Sequence, residues 1–249
     1  MKPKRNMDEI LRPGIRIRVK KSSASATTPW SMGVDFSDIV KKIVQLKNAV
    51  DVALHGEGPM PKDFAENWPE EWVSHSNTVD PDAFMRHIVP FAEDGPWGYA
   101  LKTSGPLVAY LDPHLVIGES WRHWPPLLSE KDKDDFIANT DDQVQQCIRE
   151  GEWGPHPCIE PPHFTEISPF GLYVADGGKN RIAVYQERNR LVGAHIHARI
   201  HFPEARRIAL RRFVNGEVEA VLDRRHRITL RYATGLISDL LVRYGAEIV

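Results

Sequence analysis

The run Asp176-Gly177-Gly178-Lys179-Asn180-Arg181 brings together residue types that a phosphate group requires. Glycine lets the backbone come close to an anion. The apolar run Leu172 to Ala175 precedes the glycines, and Ile182, Ala183, Val184 and Tyr185 follow among Lys, Arg, Gln and Glu. The glycines are therefore read as a turn between a strand and a helix, where the first free helical amides point at an anion. Lys179 and Arg181 add positive charge beside it. If the bound ester is cleaved, charge builds on the phosphate oxygens, and these two cations and the turn amides stabilise it. Asp176 is then the nearest oxygen ligand for Mg²⁺, with Glu150 or Glu152 supplied from the end of the preceding helix. The same run also fits a tight turn before a buried helix, with Arg181 in a surface ion pair and Asp176 as a turn or cap residue.

A second polar set lies just downstream. From Val192 to Phe202 the sequence alternates, with Ala194, Ile196, Ala198 and Ile200 on one face and His195, His197, Arg199 and His201 on the other. Strict alternation predicts a half-buried strand. Histidines at i and i+2 on a strand can share a divalent metal. They serve equally as a partly cationic surface for phosphates, or as a solvated face. His114, His123, His156 and His163 fall in Pro- or Trp-bearing loops and are not ranked.

The elements that position these residues follow from pattern. Ile39, Val40, Ile43, Val44, Leu46, Val50 and Leu54 predict a helix from Ser37 to about Leu54, capped by Ser37 or Asp35. Asp80-Pro81 opens a second helix carrying Phe84, Ile88 and Phe91. Leu107 to Leu111 reads as a strand closed by Asp112-Pro113. One helix starts at Ser129-Glu130, and another runs from Asp141 to Arg149, ending at Gly151. A Pro-rich loop (Pro155, Pro157, Pro161, Pro162) then leads to the strand before the glycine turn, and the helix after that turn continues to Asn189. Beyond the alternating strand, Arg207 to Val214 and Val218 to Leu222 flank Asn215-Gly216, a hairpin signal. Ile228 to Tyr232 is a further strand and Gly235 to Tyr244 a closing helix.

Charge is unevenly spread. The net charge of −2 hides nine Asp or Glu against two Lys or Arg between Gly56 and Gly95, and nine Lys or Arg against three Asp or Glu between Asp176 and Arg212. A basic region beside a phosphate-type turn suits nucleotide or nucleic acid, although a solvated charged surface has the same composition. The opening residues 1–21 are basic, and the small-residue linker Ser22 to Pro29 follows. Residues 1–29 are read as a flexible arm that touches nucleic acid or a partner, or as an inert tail. Trp68 and Trp72 in the acidic segment are read as packing residues rather than ligand platforms, and Trp121 to Pro126 as an aromatic loop. The two cysteines, Cys147 and Cys158, have no zinc or CxxC spacing, so a reducing cytoplasm is expected. No run of about 18 apolar residues occurs, so no membrane insertion is expected.

The middle of the chain, about residues 105–205, resembles the ParB/sulfiredoxin superfamily. The ordered signals are the strand ending at Pro113, the helix ending at Gly151, the Pro-bearing loop and strand, the box Asp176 to Ala183, a short helix, the turn Arg190 to Gly193 and a strand. ParB-like domains carry a Gly-x-x-Arg box here, and Gly178 to Arg181 matches it. The resemblance implies nucleotide-phosphate binding by Gly177, Gly178, Lys179, Asn180 and Arg181; if the phosphate is cleaved, Asp176 and Arg181 are the catalytic candidates. It implies an α+β fold: a ParB/sulfiredoxin-like core at 105–205, an α-rich acidic extension at 30–104, and a hairpin and helix at 206–249 packed on the core. Lys179 stands where sulfiredoxins have their cysteine, which argues against sulfinic acid reduction. Asn180 replaces the second arginine of chromosome-partition proteins, and the tail does not look like a helix-turn-helix. The divergent plasmid-borne members remain: nucleases, and fertility inhibition factors that block conjugative transfer. They imply ATP or another nucleotide with Mg²⁺ as cofactors, and DNA and a conjugative transfer component as partners. A non-catalytic interaction protein and a DNA-binding regulator are the alternatives.

Overall fold

The computed structural model describes residues 34–64, 73, 79–88, 101–118, 129–150, 162–177 and 181–249. The arm at 1–29, Trp68, Trp72, Phe91, the aromatic loop at 121–126, most of the Pro-rich loop, and Gly178, Lys179 and Asn180 lie outside them.

The fold is α+β, with two mixed sheets. Helix α1 spans Ser37–Leu54 and buries Ile39, Val40, Ile43, Val44 and Val50, as its periodicity requires. Asp35 Oδ1 accepts from the Ser37 amide at 2.9 Å, immediately before that helix. Helix α2, Pro81–Ile88, starts with the Ala83 amide donating to Asp80 Oδ1 at 2.9 Å. The first sheet holds β1 (Leu101–Leu111), β2 (Val116–Ile117), β3 (His163–Ser168), β4 (Leu172–Gly177) and β5 (Val192–His201), in the order β1-β5-β3-β4-β2. β3 runs parallel to β5 and antiparallel to β4. Helix α3 is Glu130–Glu150 and helix α4 is Arg181–Glu187.

The second sheet contains β6 (Ile208–Arg212), β7 (Val218–Leu222), β8 (His226–Thr229) and β9 (Glu247–Ile248), ordered β8-β7-β6-β9. Helix α5, Thr234–Tyr244, precedes β9. One continuous apolar cluster includes α1, both sheets and α5. At its centre the ring of Phe170 meets Phe36, Phe202 and Tyr244 with centroids 5.3, 4.9 and 5.2 Å apart. Such aromatic contacts add about 0.5–1.5 kcal/mol each beyond area burial.

Three expectations need correction. The two helices read at Ser129 and Asp141 are a single helix of 21 residues. Nothing between them breaks a helix, and the Thr140 hydroxyl turns back to donate to Phe136 O at 3.0 Å. The helix after the glycine turn ends at Glu187, two residues before Asn189, which takes a left-handed φ of 49°. The strand read at Ile228 to Tyr232 is β8 at His226–Thr229, displaced toward the turn that pairs it with β7. Strands β2, β3 and β9 were not expected. The strand read from Leu107 begins at Leu101.

Among the described residues no helix is long and apolar enough to cross a membrane.

Candidate functional site

Helix α4 is held from three sides. The Tyr185 hydroxyl donates to Asp141 Oδ1 of α3 at 2.9 Å. Gln186 Nε2 donates to Pro113 O at 2.9 Å, and Asn48 Nδ2 of α1 reaches Gln186 Oε1 at 3.3 Å. Just past the helix, Arg188 pairs with Glu130 at 2.5 Å and with Asp134 at 3.2 Å. Burial, then the nearby Asp141, pushes the Tyr185 hydroxyl far above its usual range, so it stays protonated and donates to Asp141. Burial also raises the Asp141 carboxyl. These contacts fix where Arg181, the first residue of α4, projects. Arg181 is itself partly buried.

β4 fixes the other side of the turn. It ends at Asp176 and Gly177, and Gly177 is paired with His163 of β3. The Thr165 hydroxyl donates to Asp176 Oδ2 at 2.8 Å. His197 Nε2 of β5 stands 3.4 Å from the same oxygen. The His163 and His197 rings lie 5.5 Å apart, edge to face, and those of His195 and His197 are 6.3 Å apart. Burial, and then the neighbouring His197 and His163, pull the His195 pKa below its ordinary value, favouring the neutral ring. His197 Nδ1 is buried with no hydrogen-bond partner among the described residues.

The polar face continues along the sheet. Arg199 donates from Nε and Nη2 to Glu166 Oε2 at 2.9 and 2.6 Å. Glu166 is buried, and its charge adds to burial in pushing the Tyr173 hydroxyl far up. His201, beyond this pair, is exposed. The alternation predicted for β5 holds, with Ala194, Ile196, Ala198 and Ile200 in the core. Its histidine face is more than a solvated surface, because two of its rings join a cluster around Asp176.

Asp176, Gly177 and Arg181 thus flank the junction, while Gly178, Lys179 and Asn180 lie outside the described residues. The pattern singled out Asp176 and His197 separately; their contact was not anticipated, nor were Thr165 and His163 as members of the cluster. For Mg²⁺, among the described residues no three His, Cys, Asp or Glu side chains converge to hold an ion. Asp176 Oδ2 is shared by Thr165 and His197. The described donors do not form a Mg²⁺ cage.

No protein-family model matches the chain, and searches of curated proteins and of solved structures return no match.

Proposed function

We propose that this chain is a plasmid-type, ParB-like protein that binds nucleotide and DNA phosphate at the β4–α4 junction. In this reading it is a fertility inhibition factor that acts on a conjugative transfer component, and Asp176 and Arg181 serve a DNase or ATPase activity. One observation carries it: Asp176 at the end of β4 and Arg181 at the start of α4 lie on elements whose positions are fixed by contacts with the rest of the fold. Thr165 and His197 fix the carboxylate. Tyr185 and Gln186 fix the helix that carries the arginine. A phosphate at the junction meets a cation carried on a helix whose position is already fixed.

The order β1, β2, α3, β3, β4, α4, β5 contains the succession on which the resemblance rests, with β2 and β3 in addition to it. ATP or another nucleotide is the small-molecule ligand, with Mg²⁺ accompanying its phosphates as such ions commonly do. Turnover of ATP and of plasmid DNA with Mg²⁺ in wild type, Arg181→Ala and Asp176→Ala tests it. Loss of turnover in both variants is expected; wild-type rates in both would sink the proposal.

A further inference from the structure

The second sheet carries a charge that the box does not use. Residues 206–231 contain eight arginines, no lysine and three carboxylates, a net +5 in a chain whose total is −2, so everything outside this segment sums to −7. Arg206 is paired with Glu204, and Arg207 with Asp223. Arg211, Arg212, Arg224, Arg225, Arg227 and Arg231 form no ion pair among the described residues; five of these are exposed and Arg211 is half-buried.

Register places these groups in a strip. The core row is Leu210–Ala220–Ile228, so the rows on either side, Ala209–Val221–Arg227 and Arg211–Glu219–Thr229, lie on the opposite face, where Val221 is buried, Ala209, Arg211 and Glu219 are half-buried, and Arg227 and Thr229 are exposed. Arg211 and Arg227 share that face, with Glu219 as the carboxylate between them. Arg231 follows β8 at the end where Phe213 and Val214 form the β6–β7 turn, and Arg224 and Arg225 occupy the opposite turn. A five-residue strand separates the two ends by about 17 Å. That length of duplex axis carries about ten phosphate charges.

The β7–β8 turn adds an independent sign. Asp223 and Arg224 have φ of 51° and 60°, and the Arg225 amide donates to Leu222 O at 3.0 Å, a type I′ turn. Glycine or asparagine is the low-cost residue at its second central position. Arginine there is strained by roughly 1–2 kcal/mol, and strain of this kind is kept where a side chain has work to do.

We infer that this arginine strip binds the phosphate backbone of DNA without reading its sequence. The inference rests on the proposed nucleic-acid function and adds to the β4–α4 junction a second, separate surface for DNA. Guanidinium forks match phosphate oxygens in pairs, which suits an all-arginine set. An anionic bilayer is the less fitting partner. The exposed apolar residues Phe213 and Val214 lie at one end, so inserting them leaves Arg224 and Arg225 about 17 Å from the contact.

The test is DNA binding by the full chain across a salt series, using duplex and single-stranded oligonucleotides, with polyglutamate and anionic vesicles as competing polyanions. The variant Arg212→Gln/Arg224→Gly/Arg225→Gln/Arg227→Gln should flatten the slope of log K against log salt by about 3–4 on duplex, with ATP binding unchanged. Arg224→Gly alone relieves the turn, so it should fold at least as well as wild type while reducing the slope by about 1. Unchanged slopes in folded variants, no DNA binding by wild type, or equal binding of polyglutamate or vesicles would overturn the inference. ATP binding lost in Arg181→Ala and kept in the strip variants separates failure of this surface from failure of the β4–α4 site.

Discussion

His197 of β5 and Asp176 of β4 meet with 3.4 Å between Nε2 and Oδ2, although β3 lies between their strands. Strands two places apart are about 9.6 Å from each other, so both side chains must lean over β3. The register shift between Phe164 and Thr165 occurs at this point, and Thr165 donates to the same oxygen. A bulge of this kind re-aims side chains beside functional sites. Thr165→Val should cost about 1 kcal/mol of stability and weaken ATP binding several-fold, as read by urea unfolding and calorimetric titration. If ATP affinity stays at the wild-type value, Asp176 has no part in the phosphate site.

The arginine at the head of α4 gives a sharper contrast. Arg181→Ala should raise the ATP dissociation constant about 10–100-fold, the value of a charge-assisted hydrogen bond. Arg181→Lys should recover only part of that loss, because an ammonium cannot grip two phosphate oxygens at once. Isothermal titration of both variants measures it.

Within α1, Lys47 and Asp51 are completely buried and paired at 2.6 Å. Lys47 Nζ also donates to Gly118 O at 2.6 Å, and Asp51 Oδ1 accepts from the Val79 amide at 2.8 Å. The pair ties α1 to the end of β2 and to the segment before α2. Lys47→Met or Asp51→Asn alone should cost about 3–5 kcal/mol, whereas the double change to apolar residues should cost much less. Urea midpoints of the three variants decide it.

At Gly193 the constraint is space. A Cβ there would stand 2.9 Å from Val144 Cγ1 and 3.0 Å from Tyr110 Cε1, where α3 crosses the sheet. Gly193→Ala should destabilise by about 1–3 kcal/mol through overpacking, visible as a lower thermal midpoint.

The His195 shift sets a pH dependence. Its folded pKa is depressed from 6.5, so below pH 6.5 the unfolded chain takes up a proton that the folded chain refuses. Stability should therefore fall as pH drops from 6.5 toward the folded pKa and level off below it. His195→Gln should shrink that fall, as measured by thermal melts between pH 7.5 and roughly 4.5.

Much of this fold was legible because burial was one-sided. α1 and β5 each expose one face, so periods of 3.6 and 2 appear in the sequence. β3 was missed because five of its six residues, Phe164 to Ser168, are buried and a register shift interrupts its alternation. The burial of Lys47 and Asp51 is not legible in the sequence, since four-residue spacing does not reveal depth. In the site, Asp176 and Arg181 were legible as turn residues. Their supports, Thr165 beside Asp176 and Asp141 holding α4 through Tyr185, come from other elements of the fold, which a local pattern cannot join.

The central claim is that phosphate binds at the β4–α4 junction, and calorimetric titration of the full chain with ATP, with and without Mg²⁺, tests it most directly. The account predicts saturable binding by wild type that Arg181→Ala weakens at least tenfold while the fold is retained. Absence of binding by wild type, or equal affinity in the folded variant, would contradict it.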